Sequence, residues 1–285
     1  MENRKIIENT LICPVCGEKL MLTADEKSAT CTGTRRHLFD FATGGYLNLY
    51  PSRAAGGDNG ECIGARSAFL AKGYYEKISD KVNALLAKYV ENRPAKILDA
   101  GCGEGYYTNN IAKDCSRAVF GFDLSKSGVN IAAKAAKRSG ADNIFFGVAS
   151  VFSLPVFTGR MDAVTTIFAP CAEKEFARVL KDDGVLLLVG AGKEHLIGLK
   201  RAIYDSAYEN EGRRDLPCKY FELIEEKSLT YNIDLKNSAD IQNLFAMTPY
   251  YYRTSAKDRE KLASLSSLST KVDIEFFIYK KIKNY

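Results

Sequence analysis

The chain has 285 residues, 46% of them hydrophobic, with 40 lysines and arginines against 35 aspartates and glutamates and a net charge of +5. These values are typical of a globular protein with one large domain or two modest ones, and the mildly basic charge permits a polyanionic partner without requiring one. The sequence contains no run of roughly eighteen apolar residues and no basic segment followed by an apolar one, so we expect neither a membrane span nor a signal peptide, and we expect a cytoplasmic protein.

A cluster of three cysteines and one of the two histidines lies near the start of the chain. Cys13 and Cys16 form a Cys-x2-Cys pair, Cys31 follows, and His37 completes the group. Three thiolates and one imidazole close a tetrahedral zinc site and leave no position for water, so a structural zinc ion is predicted, and a catalytic one is disfavoured. The alternative is a chance grouping of buried cysteines with a surface histidine, and it is disfavoured because four clustered ligands seldom coincide.

The segment around this cluster, residues 1–52, is predicted to be a small β-rich module that zinc stabilises. Arg35 and Arg36 stand beside the last ligand, and the aromatic residues that follow are Phe39, Phe41, Tyr46 and Tyr50. Cations and flat rings together are what RNA loops engage, so the module is predicted to recognise RNA. A purely structural role stays open, because its acidic and basic side chains balance.

The rest of the chain indicates an α/β fold. Residues 53–92 are predicted to hold a glycine-rich linker and then one or two amphipathic helices that start at Ala65. Strands and helices alternate from residue 93, which predicts a mostly parallel Rossmann-like sheet with helices on both faces. Two late strands, at residues 227–235 and 272–282, favour an antiparallel addition at the edge of this sheet. Residues 93–285 are therefore predicted to form the cofactor-binding domain.

A glycine loop follows the first strand of that domain. Gly101, Gly103 and Gly105 give the spacing G-x-G-x-G, which differs from that of dinucleotide sites, and Asp99 stands inside the strand end, where it would repel a pyrophosphate. Asp123 ends the next strand, where a carboxylate accepts hydrogen bonds from both hydroxyls of a ribose. The pattern predicts a nucleoside cofactor without phosphates, S-adenosylmethionine (SAM). A tight turn in some other α/β protein is the alternative.

Four further residues are predicted to contact the cofactor. Tyr106 begins the helix after the glycines, Leu124 follows the ribose-binding carboxylate, and Ala149 and Ser150 end the third strand, near the adenine. These features resemble class I methyltransferases. Many of those enzymes carry an aspartate at the end of the third strand, so the adenine contacts of this chain are expected to differ.

Several segments together resemble one family, the bacterial 23S rRNA guanine-N1 methyltransferases. They are the zinc motif, "FDFATGGYLNLYPS", "ARSAFLAKGYY", "LDAGCGEGYYT", "FAPC" and "MTPYYYR". The resemblance runs nearly end to end. It implies methylation at N1 of one guanine in a hairpin loop of 23S rRNA, by a homodimer whose zinc modules help to bind the RNA.

Methylation at N1 requires that its proton leave and that the charge developing on O6 be balanced. Asp58 is predicted to be the base and Arg66 its electrostatic partner, because both lie in a glycine-rich segment able to close over the target. An ordinary solvated linker is the alternative for each. Phe168, in "FAPC", is predicted to stack on the extruded base. The three tyrosines of "MTPYYYR", residues 247–253, are predicted to form a wall of the guanine pocket, with packing in the core or at its rim as the alternative. His195 is predicted to be a surface residue at a helix N-terminus.

Two alternative functions stay open from the sequence. The first is a SAM-dependent enzyme that methylates a small molecule or a protein, with zinc serving only stability. The second is an RNA-binding factor that keeps the cofactor fold without catalysis. The intact glycine loop and Asp123 argue against the second alternative.

Overall fold

The computed structural model describes residues 6–51, 58–90, 94–206, 208–211, 216–217 and 219–282. The strands are β1 (Leu20–Leu22), β2 (Ser28–Cys31), β3 (Leu38–Asp40), β4 (Leu47–Asn48), β5 (Ala95–Ala100), β6 (Arg117–Asp123), β7 (Ile144–Val148), β8 (Met161–Ile167), β9 (Leu180–Ala191), β10 (Phe221–Leu235) and β11 (Leu268–Lys281). The helices are α1 (Gly60–Leu70), α2 (Glu76–Tyr89), α3 (Tyr106–Ile111), α4 (Lys126–Ser139), α5 (Glu173–Val179), α6 (Ile197–Ile203), α7 (Ser238–Ala246) and α8 (Ala256–Ala263).

The main sheet has the strand order β10-β11-β9-β8-β5-β6-β7-β4. In this order, every neighbouring pair between β9 and β4 is parallel. Strand β11 pairs antiparallel with both β9 and β10. The central strands are buried on both faces, as a parallel sheet covered by helices requires. The predicted α/β fold with a late antiparallel edge is confirmed.

The N-terminal residues form a small antiparallel sheet, β1-β2-β3, which agrees with the predicted β-rich module. The module packs directly on the main domain, because the Ile12 backbone N–H donates to the Pro155 carbonyl at 3.0 Å and Leu11 bridges Val156. Strand β4 also joins the main sheet beside β7. The two parts therefore share a core, and a boundary at residue 52 stays a prediction. Residues 52–57 and 91–93, where the predicted linker begins and ends, lie outside the described residues.

Helix α1 begins five residues earlier than the sequence pattern predicted. The Asn59 side chain caps it by accepting a hydrogen bond from the Cys62 backbone N–H at 2.9 Å. Arg66 therefore stands within a helix, as the predicted start at Ala65 implies, and not in the flexible glycine-rich segment to which its catalytic role was tied. Its side chain projects from a fixed backbone toward the glycine loop. Among the described residues, no helix has both the length and the apolarity that crossing a bilayer requires.

Candidate active site and metal centre

One open cavity of about 290 Å³ lies at the carboxyl ends of β5, β6 and β8. It is lined by Asp58, Arg66, Tyr107, Asp123, Leu124 and residues 101–104, 151–152 and 167–170. Strand β5 lies between β6 and β8 in the sheet, so the glycine loop forms the middle of the cavity floor. Ligands of α/β sheets bind at this edge. The fold thus brings together seven of the residues that the sequence predicted for the site.

The glycines of the loop are required for two different reasons. Gly101 and Gly105 both have left-handed backbone, with φ of 84° and 79°, and a Cβ at either would lie about 2.4–2.5 Å from the Cβ of Ala169 or Ala132. The first reason is therefore steric, because a side chain at either glycine would collide with one of these alanines. The second is the approach of Arg66, because Gly103 also has left-handed backbone, with φ of 54°, and a Cβ there would lie 3.2 Å from Arg66 Nη2. The Gly103 N–H donates to Asp123 Oδ2 at 3.0 Å and so ties the loop to the next strand.

Asp99 is buried beneath the loop and does not line the cavity. Its two oxygens accept hydrogen bonds from the Thr108 hydroxyl at 2.5 Å and the Thr165 hydroxyl at 2.8 Å. Burial raises the pKa of Asp99 to about 6, although these hydrogen bonds oppose the shift. Asp99 therefore holds the loop in place and contributes its field from behind the loop.

Asp123 ends β6 at the cavity wall, with Leu124 beside it. Burial raises the pKa of Asp123, while hydrogen bonds from the Ser125 and Gly103 backbone N–H groups lower it. Each carboxylate oxygen accepts one of these bonds and keeps acceptor capacity toward the cavity. Asp123 is therefore positioned to accept hydrogen bonds from a nucleoside bound in the cavity.

Besides Asp99 and Gly105, three predicted contacts do not line the cavity. Tyr106 packs edge to face on Tyr107, and Tyr107 is the tyrosine that reaches the cavity wall. Ala149 and Ser150 are followed by Val151 and Phe152, which supply the wall beyond β7. In both places the cavity wall comes from a residue one or two positions further along the chain, because the sequence pattern does not reveal which side of a turn faces the cavity. The cofactor contacts of Tyr106, Ala149 and Ser150 stay predictions.

Asp58, Arg66 and Glu104 form a chain of ion pairs inside the cavity. Arg66 Nη1 lies 2.8 Å from Asp58 Oδ2, and Arg66 Nε lies 2.6 Å from Glu104 Oε2. Burial opposes the charge on Arg66, but the two carboxylates outweigh it and raise the pKa of Arg66. The predicted Asp58–Arg66 partnership is thus present in the geometry. Glu104 was missed, and its signal was a charged residue between the second and third glycines of the loop.

Phe168 follows β8 with a strained left-handed backbone, φ of 53°, and a ring that is 44% exposed at the cavity. Its ring stacks on the His195 ring at 5.9 Å and tilts against Tyr75 at 6.3 Å. Strain of this kind in a residue other than glycine is concentrated at functional sites. The arrangement presents one face of an aromatic ring to a ligand.

His195 is only 7% exposed, so its prediction as a surface residue was wrong. The Asp273 backbone N–H approaches His195 Nδ1 at 3.3 Å, which assigns the ring proton to Nε2, next to the Tyr75 hydroxyl at 3.3 Å. Burial lowers the pKa of His195 to about 4, so the ring is neutral at physiological pH. It serves as an uncharged, buried support for the Phe168 ring.

His195 makes stability depend on pH in a specific direction. Its pKa is about 4 when folded and about 6.5 when unfolded, so the unfolded chain binds more protons between these values. Acidification from pH 6.5 to 4 should therefore cost the wild type about 3 kcal/mol that His195→Asn does not lose. Denaturant unfolding at several pH values measures the difference, and equal slopes for the two proteins would contradict it.

Tyrosines 250, 251 and 252, predicted as a wall of the guanine pocket, do not line the cavity. They follow α7, and the Tyr251 hydroxyl donates to Glu61 Oε1 at 2.7 Å, while Tyr252 is mostly exposed beside them. The segment braces the start of α1 from outside. Its part in binding a guanine stays a prediction.

The four predicted metal ligands converge, with one ligand atom from each lying within 4.8 Å of the others. His37 Nδ1 lies 3.6 Å from Cys13 Sγ and 3.5 Å from Cys31 Sγ, and the Cys16 and Cys31 sulfurs are 3.6 Å apart. Tetrahedral zinc, with bonds of about 2.3 Å to sulfur and about 2.0 Å to nitrogen, sets its ligand atoms roughly 3.5 to 3.8 Å apart. The residues therefore fit a closed structural zinc site.

The module's surface differs from the predicted aromatic face. Arg35 and Arg36 are exposed as expected, but Tyr46 is buried in the main core. The large apolar side chains that the module exposes include Val15, between Cys13 and Cys16, and Leu38, next to His37. An RNA contact by this module would therefore combine the arginines with aliphatic groups, with Tyr46 acting as an anchor to the core.

Two family models match the chain in the regions of these two sites. A methyltransferase domain matches residues 97–184, and the model described as "RlmA, N-terminal", a zinc ribbon, matches residues 11–54. The first covers the glycine loop and Asp123, and the second covers all four predicted metal ligands. The matches agree with a SAM-dependent methyltransferase domain joined to a zinc-binding module.

Curated relatives extend this agreement over most of the chain. YxjB of Bacillus subtilis (strain 168), provisionally named a 23S rRNA (guanine-N(1)-)-methyltransferase, is 30% identical over 279 residues, 94% of this chain and 96% of its own. A similarly named protein of Micromonospora griseorubida is 34% identical, over 66% of this chain and 68% of its own. The 23S rRNA (guanine(748)-N(1))-methyltransferase of Streptomyces fradiae is 28% identical, over 86% of this chain and 87% of its own. The chain therefore belongs to the 23S rRNA (guanine-N1)-methyltransferase family.

Proposed function

We propose that the protein transfers the methyl group of SAM to N1 of a guanine in a hairpin loop of 23S rRNA. The observation that carries this proposal is the exposed Phe168 ring, on a left-handed backbone, in the same cavity as the Asp58–Arg66 ion pair. A stacking surface, a carboxylate and a cation are the groups that methylation of a guanine ring nitrogen requires. Relatives named for this reaction support the same assignment.

The order of the strands suggests how the cosubstrate lies. Asp123 at the end of β6 would accept hydrogen bonds from the ribose hydroxyls, and the adenine would extend past Leu124 toward Val151 and Phe152. The amino-acid end would then lie over the glycine loop and toward β8. SAM supplies an electrophilic methyl group on its sulfonium.

The acceptor base would enter beside Phe168. Its ring would stack on the extruded guanine and hold N1 in line with the methyl group. Asp58 would accept the N1 proton, and Arg66 would balance the charge that develops on O6. Arg66 fixes the direction of the Asp58 carboxylate through the 2.8 Å contact between them.

The metal module would hold zinc and contribute to RNA binding. Three thiolates and one imidazole with tetrahedral spacing favour zinc among the common metals. Arg35 and Arg36, both exposed, would contact RNA phosphates. The homodimer implied by the family resemblance stays a prediction, as does the choice of guanine.

The purified protein should label 23S rRNA with tritium from methyl-labelled SAM when the rRNA comes from a strain that lacks the modification. Reverse transcription of that rRNA should stop at a single guanine in a hairpin loop, because a methyl group on N1 blocks base pairing. Label that resists RNase would indicate a protein or small-molecule substrate. Binding of rRNA without labelling would indicate a factor without catalytic activity. Either result would refute the proposal.

A further inference from the structure

The candidate cavity is acidic. Three carboxylates line it, those of Asp58, Glu104 and Asp123, and Arg66 is the single cationic side chain among the described residues that line it. The Asp99 carboxylate lies behind the glycine loop, out of contact with solvent. Carboxylates thus outnumber cations around a partly enclosed space, where charges act more strongly on one another than they do in bulk water.

Glu104 is the most enclosed of the three carboxylates in the cavity wall, with 7% of its surface exposed. Its Oε2 contacts Arg66 Nε at 2.6 Å, but the same guanidinium also contacts Asp58 at 2.8 Å. One positive charge is therefore shared between two carboxylates. The pair of carboxylates keeps a net negative charge beside the loop.

The effect of this charge reaches the cavity floor. Cys102 lies in the glycine loop, and burial together with Asp123, Asp99 and Glu104 raises the pKa of its thiol. Nearby carboxylates also contribute to the raised pKa of Asp99, for which burial is the main cause. These carboxylates therefore place a negative field at Cys102, in the part of the loop that lines the cavity.

The proposed cosubstrate and its product differ in charge. SAM carries a sulfonium, an ammonium and a carboxylate, for a net charge of +1. In methyl transfer the bond from sulfur to the methyl carbon breaks, and its electron pair stays on sulfur. The product, S-adenosylhomocysteine (SAH), is therefore a neutral thioether with no net charge. An acidic cavity favours the first ligand over the second.

We propose that Glu104 is a specificity-determining residue that makes this cavity prefer the cationic cosubstrate over the neutral product. The proposal rests on the proposed use of SAM. Glu104 would attract the positive charge of the ligand, while Asp123 would bind the hydroxyls of its ribose. The consequence for turnover is that loss of the sulfonium charge weakens the hold on the product and promotes its release.

Calorimetric titration of the full-length, metal-loaded protein with SAM and with SAH tests this role. Glu104→Gln keeps an acceptor for Arg66 and removes one negative charge. We expect the ratio of the two dissociation constants to shift toward SAH by about 10-fold, the scale of one charge at several ångströms in a partly buried site. SAM binding should weaken, while SAH binding should stay constant or strengthen.

Glu61→Gln is the matched control, because it makes the same chemical change on the same side of the protein. Glu61 accepts a hydrogen bond from Tyr251 and does not line the cavity. For this variant the ratio of the SAM and SAH dissociation constants should stay within about twofold of the wild-type ratio, since exposed charges are screened. Glu104→Asp keeps the charge with a shorter side chain, so its ratio should also stay near that of the wild type even if both affinities fall.

The outcomes separate this inference from the proposed function. Equal weakening of SAM and SAH by Glu104→Gln would overturn the inference, because Glu104 would then act only by positioning Arg66. No change in either affinity would overturn it as well. Failure of the folded wild-type protein to bind SAM would instead refute the proposed cosubstrate. Thermal unfolding curves confirm that each variant is folded before titration.

Discussion

Asp58→Asn is expected to lower kcat for rRNA methylation by about 100-fold or more, while SAM affinity stays within about threefold of the wild type. The amide has nearly the shape of the carboxylate and can still contact Arg66, but it cannot take up the N1 proton. Asp58 is suited to this role because its side chain is 45% exposed at the cavity and is held at 2.8 Å by Arg66. Single-turnover methylation assays and calorimetry measure the two quantities.

The backbone around Asp58 supports this expectation. Its carbonyl accepts a hydrogen bond from the Ser125 hydroxyl at 3.0 Å, which ties the start of α1 to the loop after β6. A side-chain change at Asp58 therefore leaves this attachment in place. Loss of activity in the variant would then reflect the missing proton acceptor, because the segment stays attached to the loop after β6.

Glu61→Gln serves again as the comparison, because Glu61 lies three residues from Asp58 but points toward Tyr251. Its kcat should remain within about twofold of the wild type. If Asp58→Asn kept more than a third of the wild-type kcat, the proton would have to leave by another route. A loss confined to SAM binding would instead assign Asp58 to the cosubstrate.

Cys31→Ser is expected to remove the bound metal and to lower the temperature of unfolding by several degrees or more. Cys31 is buried, and its sulfur lies 3.5 Å from His37 Nδ1 and 3.6 Å from Cys16 Sγ, so it stands at the centre of the ligand set. A hydrogen bond from the His37 backbone N–H lowers the pKa of Cys31 to about 6, which favours the thiolate that metal binding needs.

The effect should extend beyond the module because metal binding contributes directly to its folding, with about 10 kcal/mol or more in isolated zinc fingers. Leu11 and Ile12 attach the module to the main domain next to Val156. Loss of the metal should therefore expose part of a shared core. Elemental analysis by mass spectrometry and thermal unfolding measure the two consequences.

Cys115→Ser is the matched control, since Cys115 is exposed and lies outside the metal cluster. It should keep one metal ion per chain and unfold at the wild-type temperature. A full equivalent of metal in Cys31→Ser would contradict the ligand assignment. Wild-type stability after complete chelation would contradict the structural role of the metal.

Local patterns in the sequence were enough to locate the cluster of three cysteines and His37, the glycine loop and Asp123. Each depends on short spacing: a turn that aims two sulfurs at one ion, or a strand that ends beside a tight glycine turn. The alternation of strands and helices was likewise enough for the parallel sheet and its antiparallel edge. These features are encoded within a few residues of one another, so they can be recognised before the chain folds.

The partners of individual side chains depended on contacts between distant parts of the chain. Arg66 meets Glu104 across 38 residues, and His195 meets Tyr75 across 120, so no periodicity could reveal either pair. The same is true of Tyr46, which looked like a surface ring and proved to be buried in the core. Periodicity predicts which face of an element is apolar, but packing of the elements determines what that face meets, and the charge balance of the cavity follows from that packing.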